Sequence, residues 1–201
     1  MFNPHPSRSL FTDIMTSSTD TSASLADRYA GLAAGFGAVL DAVGPDDWTA
    51  PSPCAGWTAR DVVAHVIDTQ RDFLTGHHVD AGPAPSLHDP AAAWRSHSHR
   101  VADAVADPDI ANRSFDGHFG PTSVGETLLR FYGFDMVAHR WDVATAVGAE
   151  LRFTDDELTM METAADGFGE ALYSDGVCER VEIPDDADRQ TILLARLGRR
   201  S

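Results

Sequence analysis

The chain predicts an all-α fold: an up-and-down bundle of four long helices with short C-terminal additions. Three observations carry that expectation. Apolar residues recur at three- and four-residue spacing through four long stretches. Serine or threonine followed three residues later by an acid marks several starts, and glycine or proline marks the stops. The segments between are loops, with no internal repeat and no low-complexity run in the core region.

Residues 1–23 are polar and rich in Ser and Thr, without the basic and then apolar regions of a secretory signal. They read as a disordered tail ahead of a single domain at 24–201, and Met15 offers a second start. So little apolar surface cannot offset an ordering cost of roughly 1–2 kcal/mol per residue. A chain begun at Ser24 is therefore expected to keep its melting temperature in a thermal scan. A large drop would show that the tail packs on the bundle.

The first helix is predicted over 24–43 and stops at Gly44-Pro45. The second opens at Thr58, where Asp61 completes a capping-box spacing, and runs to Gly76. After a Gly/Pro-rich loop at 77–88, the third covers 89–107 and ends before Pro108. A further loop, 108–122, leads to Ser123 and Glu126, a second capping box. There the longest helix begins, 123–147, closed by Gly148. Thr154 and Glu157 open a fifth helix to about 175, and the remainder reads as a short extended piece and a last helical turn or two.

Formal charge is −16, from 31 acidic residues against 15 basic ones, all of them arginine. Such a surface repels phosphate backbones and anionic headgroups, so nucleic acid and membrane surfaces are poor partners. No apolar run approaches the roughly 18–20 residues of a membrane span. Two cysteines, Cys54 and Cys178, make no disulfide framework, and the expected compartment is the reducing cytoplasm.

The chemistry sits in "GFDMVAHRWDVA", residues 133–144. Asp135 and His139 are four apart, so on a helix they stand one turn apart on one face. That face is also the apolar one, shared with Leu128, Tyr132, Met136, Val143 and Ala146. A carboxylate and an imidazole there need a partner, because an unpaired buried charge is costly. A structural hydrogen-bonded pair and a metal site both meet that need, and spacing leaves the two level.

Bundle metal sites draw further ligands from a facing helix. The second helix offers His65, on the flank of the Val62, Val63, Val66 and Ile67 arc. An ordinary surface or hydrogen-bonded histidine is the plainer account of that position. Asp61 and His65 share the same spacing, but capping explains Asp61. His97 and His99 are two apart and point away from one another on a helix. His77, His78, His88 and His118 are scattered through loops.

"PSPCAGWTARDVVAHV" and "FDMVAHRWDVATAVG", in that order, resemble the DinB-like superfamily. Within it they resemble the actinobacterial branch that carries the metal-binding domain of mycothiol-dependent maleylpyruvate isomerase. Members show P-T-P-C-x-G-W-T-V-R-D-L-x-x-H and then E-x-x-x-H-G-W-D-L-A. The ending "VEIPDDADRQTILLARLGR" is similar to a family C-terminus, so the resemblance runs from about Ser24 to Arg199. It implies a DinB-like bundle and a divalent metal held by His65, Asp135 and His139.

Asp135 stands where the family usually has Glu, a shorter arm that draws a metal towards its own helix. Arg140 replaces the glycine after the second histidine and, at helical spacing, lies away from Asp135 and His139. Two histidines and a carboxylate with open positions are the ligand set of a catalytic divalent site. Zinc is the first choice, with nickel, iron or manganese behind it. Asp142, three residues after His139, and Asp68, three after His65, each offer either a carboxylate that orients an imidazole or a solvated helix face. Trp57 and Trp141 read as core or pocket wall. Cys54 reads as a buried structural thiol, with no basic neighbour in view to activate it.

The resemblance further implies mycothiol or a similar low-molecular-weight thiol, with a small electrophile as its reaction partner. That describes a metal- and thiol-dependent transferase or isomerase. Three other classes remain for the same residues: hydrolysis by a metal-activated hydroxide, a metal-binding module without catalysis, and a scaffold in which Asp135 has ended metal binding. A homodimer stays open.

Overall fold

The computed structural model describes residues 24–118, 120–174, 178–183 and 185–200; the tail predicted at 1–23 lies outside them. The described residues form an all-α bundle with one small hairpin. The helices are α1 (Leu25–Asp41), α2 (Ala59–Gly76), α3 (Pro90–Ala106), the single turn α4 (Pro108–Ala111), α5 (Val124–Ala146), α6 (Asp155–Phe168) and α7 (Arg189–Arg196). The hairpin strands are β1 (Ser114–Gly117) and β2 (Gly120–Ser123).

Helix starts follow the capping chemistry. Ser24 with Asp27, Thr58 with Asp61 and Thr154 with Glu157 each close a reciprocal capping box, and a cap of this kind contributes about 1 kcal/mol. The second box predicted from sequence is only half made. Ser123 accepts the Glu126 N–H at 3.3 Å, but no bond returns from the Glu126 side chain.

Helix α1 packs on α3 and α5, and α2 packs on the same two, so these four close a ring. The ring is filled by Tyr29, Phe36 and Leu40 from α1, Val62, Val66 and Ile67 from α2, Trp94 from α3, and Leu128 and Met136 from α5. A second core forms where α6 and α7 join α5, around Val137, Trp141, Met161, Leu193 and Leu194. Helix α5 is therefore buried on two sides, and polar groups on it have to find partners inside the protein.

Two stretches differ from the sequence reading. The loop expected at 108–122 holds α4 and the antiparallel pair β1–β2, in which Ser114 faces Ser123 and Gly117 faces Gly120. Four-residue strands carry too little alternation to announce themselves. The fifth helix, expected to reach about 175, ends at Phe168. Gly169 takes φ +51°, a left-handed conformation that glycine adopts at little cost, and the chain continues as a 3₁₀ turn over Gly169–Tyr173.

A buried polar cluster ties α1, α2 and α3 together. The Tyr29 hydroxyl donates to Gln70 Oε1 at 3.1 Å, and His97 Nε2 meets the same oxygen at 3.2 Å. His97 is 2% exposed. Burial, and then the nearby Arg71 guanidinium, push its pKa down to about 4. An unfolded-chain imidazole titrates near ~6.5. Between these values the unfolded chain takes up a proton that the folded chain refuses. Stability held above pH ~6.5 is thus lost as the pH falls towards 4. Urea unfolding at about pH 7 and pH 4.5 should show His97→Leu losing about 2–3 kcal/mol less than the parent over that interval. Equal acid sensitivity in the two would assign the loss to other groups.

Candidate metal centre

His65 lies two turns into α2, and Asp135 and His139 lie in the second half of α5. The two helices run antiparallel along their seam. The His65 and His139 rings meet at 5.0 Å between centroids, and further along the rings of Phe73 and Tyr132 meet at 5.1 Å. His65 is a flank residue, as its position on the α2 arc implies; its side chain keeps 32% exposure at the open edge of the seam.

Asp135 lies between the imidazoles and turns one oxygen to each. Its Oδ1 is 3.2 Å from His139 Nε2, and its Oδ2 is 3.7 Å from His65 Nε2. Donor atoms of the three residues all lie within 4.8 Å of one another. Two ligands bound at ~2.1 Å to a tetrahedral centre stand about 3.4 Å apart. The two separations bracket that edge, so the spacing of these donor atoms is compatible with ligands of a divalent cation.

His139 is fixed from behind. Its Nδ1 is 2.8 Å from Asp142 Oδ2. An ionised carboxylate can only accept, so Nδ1 carries the proton and the Nε2 lone pair is left for the site. Asp142 is fully buried and is held in turn by Arg199, whose Nε donates to Oδ1 at 3.2 Å and whose Nη2 donates to Oδ2 at 2.8 Å. The Cys54 thiol donates to the same carboxylate at 3.4 Å. Cys54, His139 and Asp142 form a second cluster of metal-ligand types, but the Arg199 guanidinium already serves as its cation. Trp57 closes the seam at this end, 4.9 Å from the His65 ring and 6.2 Å from that of His139.

Charge follows the same geometry. Burial alone would push the Asp135 carboxyl up, but the imidazoles of His139 and His65 outweigh it and hold its pKa well below the carboxylate range. Burial would likewise push His139 down, yet Asp135 and Asp142 on its two sides, with Cys54, raise it well above an ordinary imidazole. Asp142, despite its burial, is pulled down to about 2 by His139 and Arg199. The two carboxylates on either side of His139 thus make its surroundings electronegative.

Of the two carboxylates whose role spacing left open, Asp142 orients His139 and Asp68 is solvent-exposed. Trp57 is pocket wall and Trp141 is core. Arg140 turns away from the site to Glu157 at 2.8 Å, pinning α6. His97 belongs to the Gln70 cluster, and His99 is exposed. One expectation fails. Cys54 does have a basic neighbour, because Arg199 Nη2 lies 3.8 Å from its sulfur. Arg199 comes from 145 residues away, so no local spacing could reveal it. The only signal was the resemblance of the C-terminal segment to family endings.

Fold and site together define a helical bundle with a cluster of candidate metal ligands between two of its helices. The chain belongs to the family described as the mycothiol maleylpyruvate isomerase N-terminal domain, whose model matches residues 29–144. Its relatives include uncharacterised proteins from two strains of Mycobacterium tuberculosis, CDC 1551 and H37Rv. Each is 28% identical over 178 residues, covering 82% of this chain and 91% of the relative. No solved structure matches the chain.

Proposed function

We propose that the protein binds a divalent cation, zinc first, through His65, Asp135 and His139, and uses a low-molecular-weight thiol such as mycothiol to attack a small electrophile, as a transferase or isomerase. The observation that supports this most is the meeting of both Nε2 atoms with the two oxygens of one carboxylate between α2 and α5. A cation held there would favour thiolate over thiol and supply a soft nucleophile at neutral pH.

The chain's own groups account for the rest. Two neutral nitrogens and one carboxylate leave a divalent ion with net positive charge, which suits an anionic sulfur. Asp142 keeps His139 in the required tautomer. Trp57 walls the site over both imidazoles, while the His65 edge stays open for entry. Membership of a family named for a mycothiol-dependent isomerase supports the thiol half of the reading.

Metal content of the purified protein is the deciding measurement, followed by turnover of an electrophile with and without mycothiol. The expected result is about one divalent metal per chain and a product heavier by the mass of the thiol, or an isomerised product formed only when thiol is present. Turnover without thiol would replace this reading with hydrolysis. Metal without any turnover would replace it with a non-catalytic module.

A further inference from the structure

We propose that Arg199 is a positioning residue of the metal centre: its planar guanidinium fixes the Asp142 carboxylate, and through that carboxylate it aims His139 at the metal. The inference rests on the metal-binding reading above and extends the centre to the turn that follows α7.

That turn is built to deliver the side chain. The Gly198 N–H donates to the Ala195 carbonyl at 3.0 Å and the Arg199 N–H to the Leu194 carbonyl at 2.8 Å, the paired bonds of a Schellman motif. The motif needs a left-handed residue, and Gly198 supplies it with φ +80°. A Cβ at Gly198 would stand only 3.0 Å from the Glu179 carbonyl oxygen. Leu193, Leu194 and Leu197 anchor the end of α7 in the second core, beside Val137 and Trp141 of α5. Arg199 therefore meets α5 from a backbone with little freedom, and its side chain is 13% exposed.

The guanidinium is engaged along its whole edge. Nε donates to Asp142 Oδ1 at 3.2 Å, Nη2 to Oδ2 at 2.8 Å, and Nη1 to the Leu197 carbonyl at 2.6 Å. Two donors on two oxygens hold a carboxylate in one plane, which a point charge does not. The plane matters because Oδ2 also faces His139 Nδ1 at 2.8 Å, and an N–H bonds best to a lone pair in the carboxylate plane. The Cys54 thiol, at 3.4 Å, is a weak donor and a poor substitute for the fork. His139 turns its Nε2 to Asp135 at 3.2 Å. A ring that swings at Nδ1 therefore moves the atom offered to the metal.

Charge and orientation pull in opposite directions. A guanidinium behind His139 repels a metal cation, so by charge alone the loss of Arg199 would tighten binding. By orientation its loss weakens binding. Arg199 makes no hydrogen bond or ion pair with His65, Asp135 or His139. Its effect on aim thus passes through Asp142.

The test is titration of the metal-free full chain with cobalt(II), read by visible absorption, for the parent, Arg199→Lys, Asp142→Ala and the double variant. Lysine keeps the positive charge and removes the fork, so Arg199→Lys reads orientation alone. Melting of the metal-free proteins reports the fold separately. Arg199→Lys is expected to remain folded and to bind cobalt about 10-fold more weakly than the parent. The double variant should bind no more weakly than Asp142→Ala, because the fork has nothing left to hold. Gly198→Ala, which displaces the turn and leaves every charge in place, is the second variant, with a weakening of the same order expected. Parent-like or tighter binding in whichever of the two folds would overturn the proposal and leave Arg199 a structural counter-ion. A double variant weakened by the full product of the single effects would also overturn it. A parent that binds no cobalt would overturn the metal-binding reading itself, an outcome distinct from a parent that binds and variants that match it.

Discussion

Asp142→Ala is expected to cost about 3–5 kcal/mol of stability and to lower the melting temperature by roughly 10 °C or more. Asp142 is fully buried, and the Arg199 side chain that it neutralises is only 13% exposed. Removing the carboxylate leaves a guanidinium in the interior without its counter-charge and frees His139 Nδ1 and the Cys54 thiol. The desolvation of that stranded cation, more than the bond lost, sets the size of the effect. Arg199→Ala alone should also destabilise. The double variant should cost clearly less than the sum of the two, since no charge is then stranded. Metal affinity should fall by about 10–100-fold in Asp142→Ala, because His139 loses the group that holds its tautomer and orientation. Urea unfolding and metal titration read the two effects separately. A stability loss below about 1 kcal/mol would show that the pair is hydrated and that Arg199 relaxes into solvent.

This network also marks the limit of what the sequence announces. The four long helices were legible because each combines helical apolar spacing with a cap or a stop, and Thr58, Ser123 and Thr154 fixed three starts within a residue or so. Asp135 and His139 were legible as a pair because a polar couple on an apolar arc is a local pattern. His65 was not legible from periodicity. It sits beside the α2 stripe, and only the antiparallel packing of α2 on α5 turns it towards Asp135; the family resemblance supplied it instead. Asp142 looked as much like a solvated acid as a partner, because α5 seems one-sided until α6 and α7 cover its other side. Arg199 had no local signal at all, and the hairpin at Ser114–Ser123 was too short to stand out from a loop. Short-range pattern reveals elements, whereas contacts made by closure of the chain on itself do not show in spacing.

Replacement of a candidate ligand carries the largest expected effect on function. His65→Ala, Asp135→Ala and His139→Ala should each lose most of the bound metal, while His97→Ala and His99→Ala should keep it. His97 is engaged by Gln70 and His99 is exposed on α3. Asp135 separates a metal ligand from a structural pair most sharply. Its two oxygens face two different Nε2 atoms, at 3.2 Å and 3.7 Å. In Asp135→Asn one of those oxygens becomes a neutral amide nitrogen, a poor ligand for a divalent ion, and metal should be lost. If the carboxylate only hydrogen-bonds His139, Asn keeps an acceptor oxygen for it and stability should change little. Asp135→Glu restores the residue usual in the family. Its longer arm should still reach a metal, with repacking against Tyr132 and Met136, both buried. Where no metal takes up the extra methylene, the same change overpacks the core and costs about 1–3 kcal/mol. The expected order of metal content is therefore parent and Asp135→Glu together, well above Asp135→Asn. Equal metal in Asn and Glu variants, or none in the parent, would remove the metal centre and leave a helical bundle with a buried carboxylate between two imidazoles.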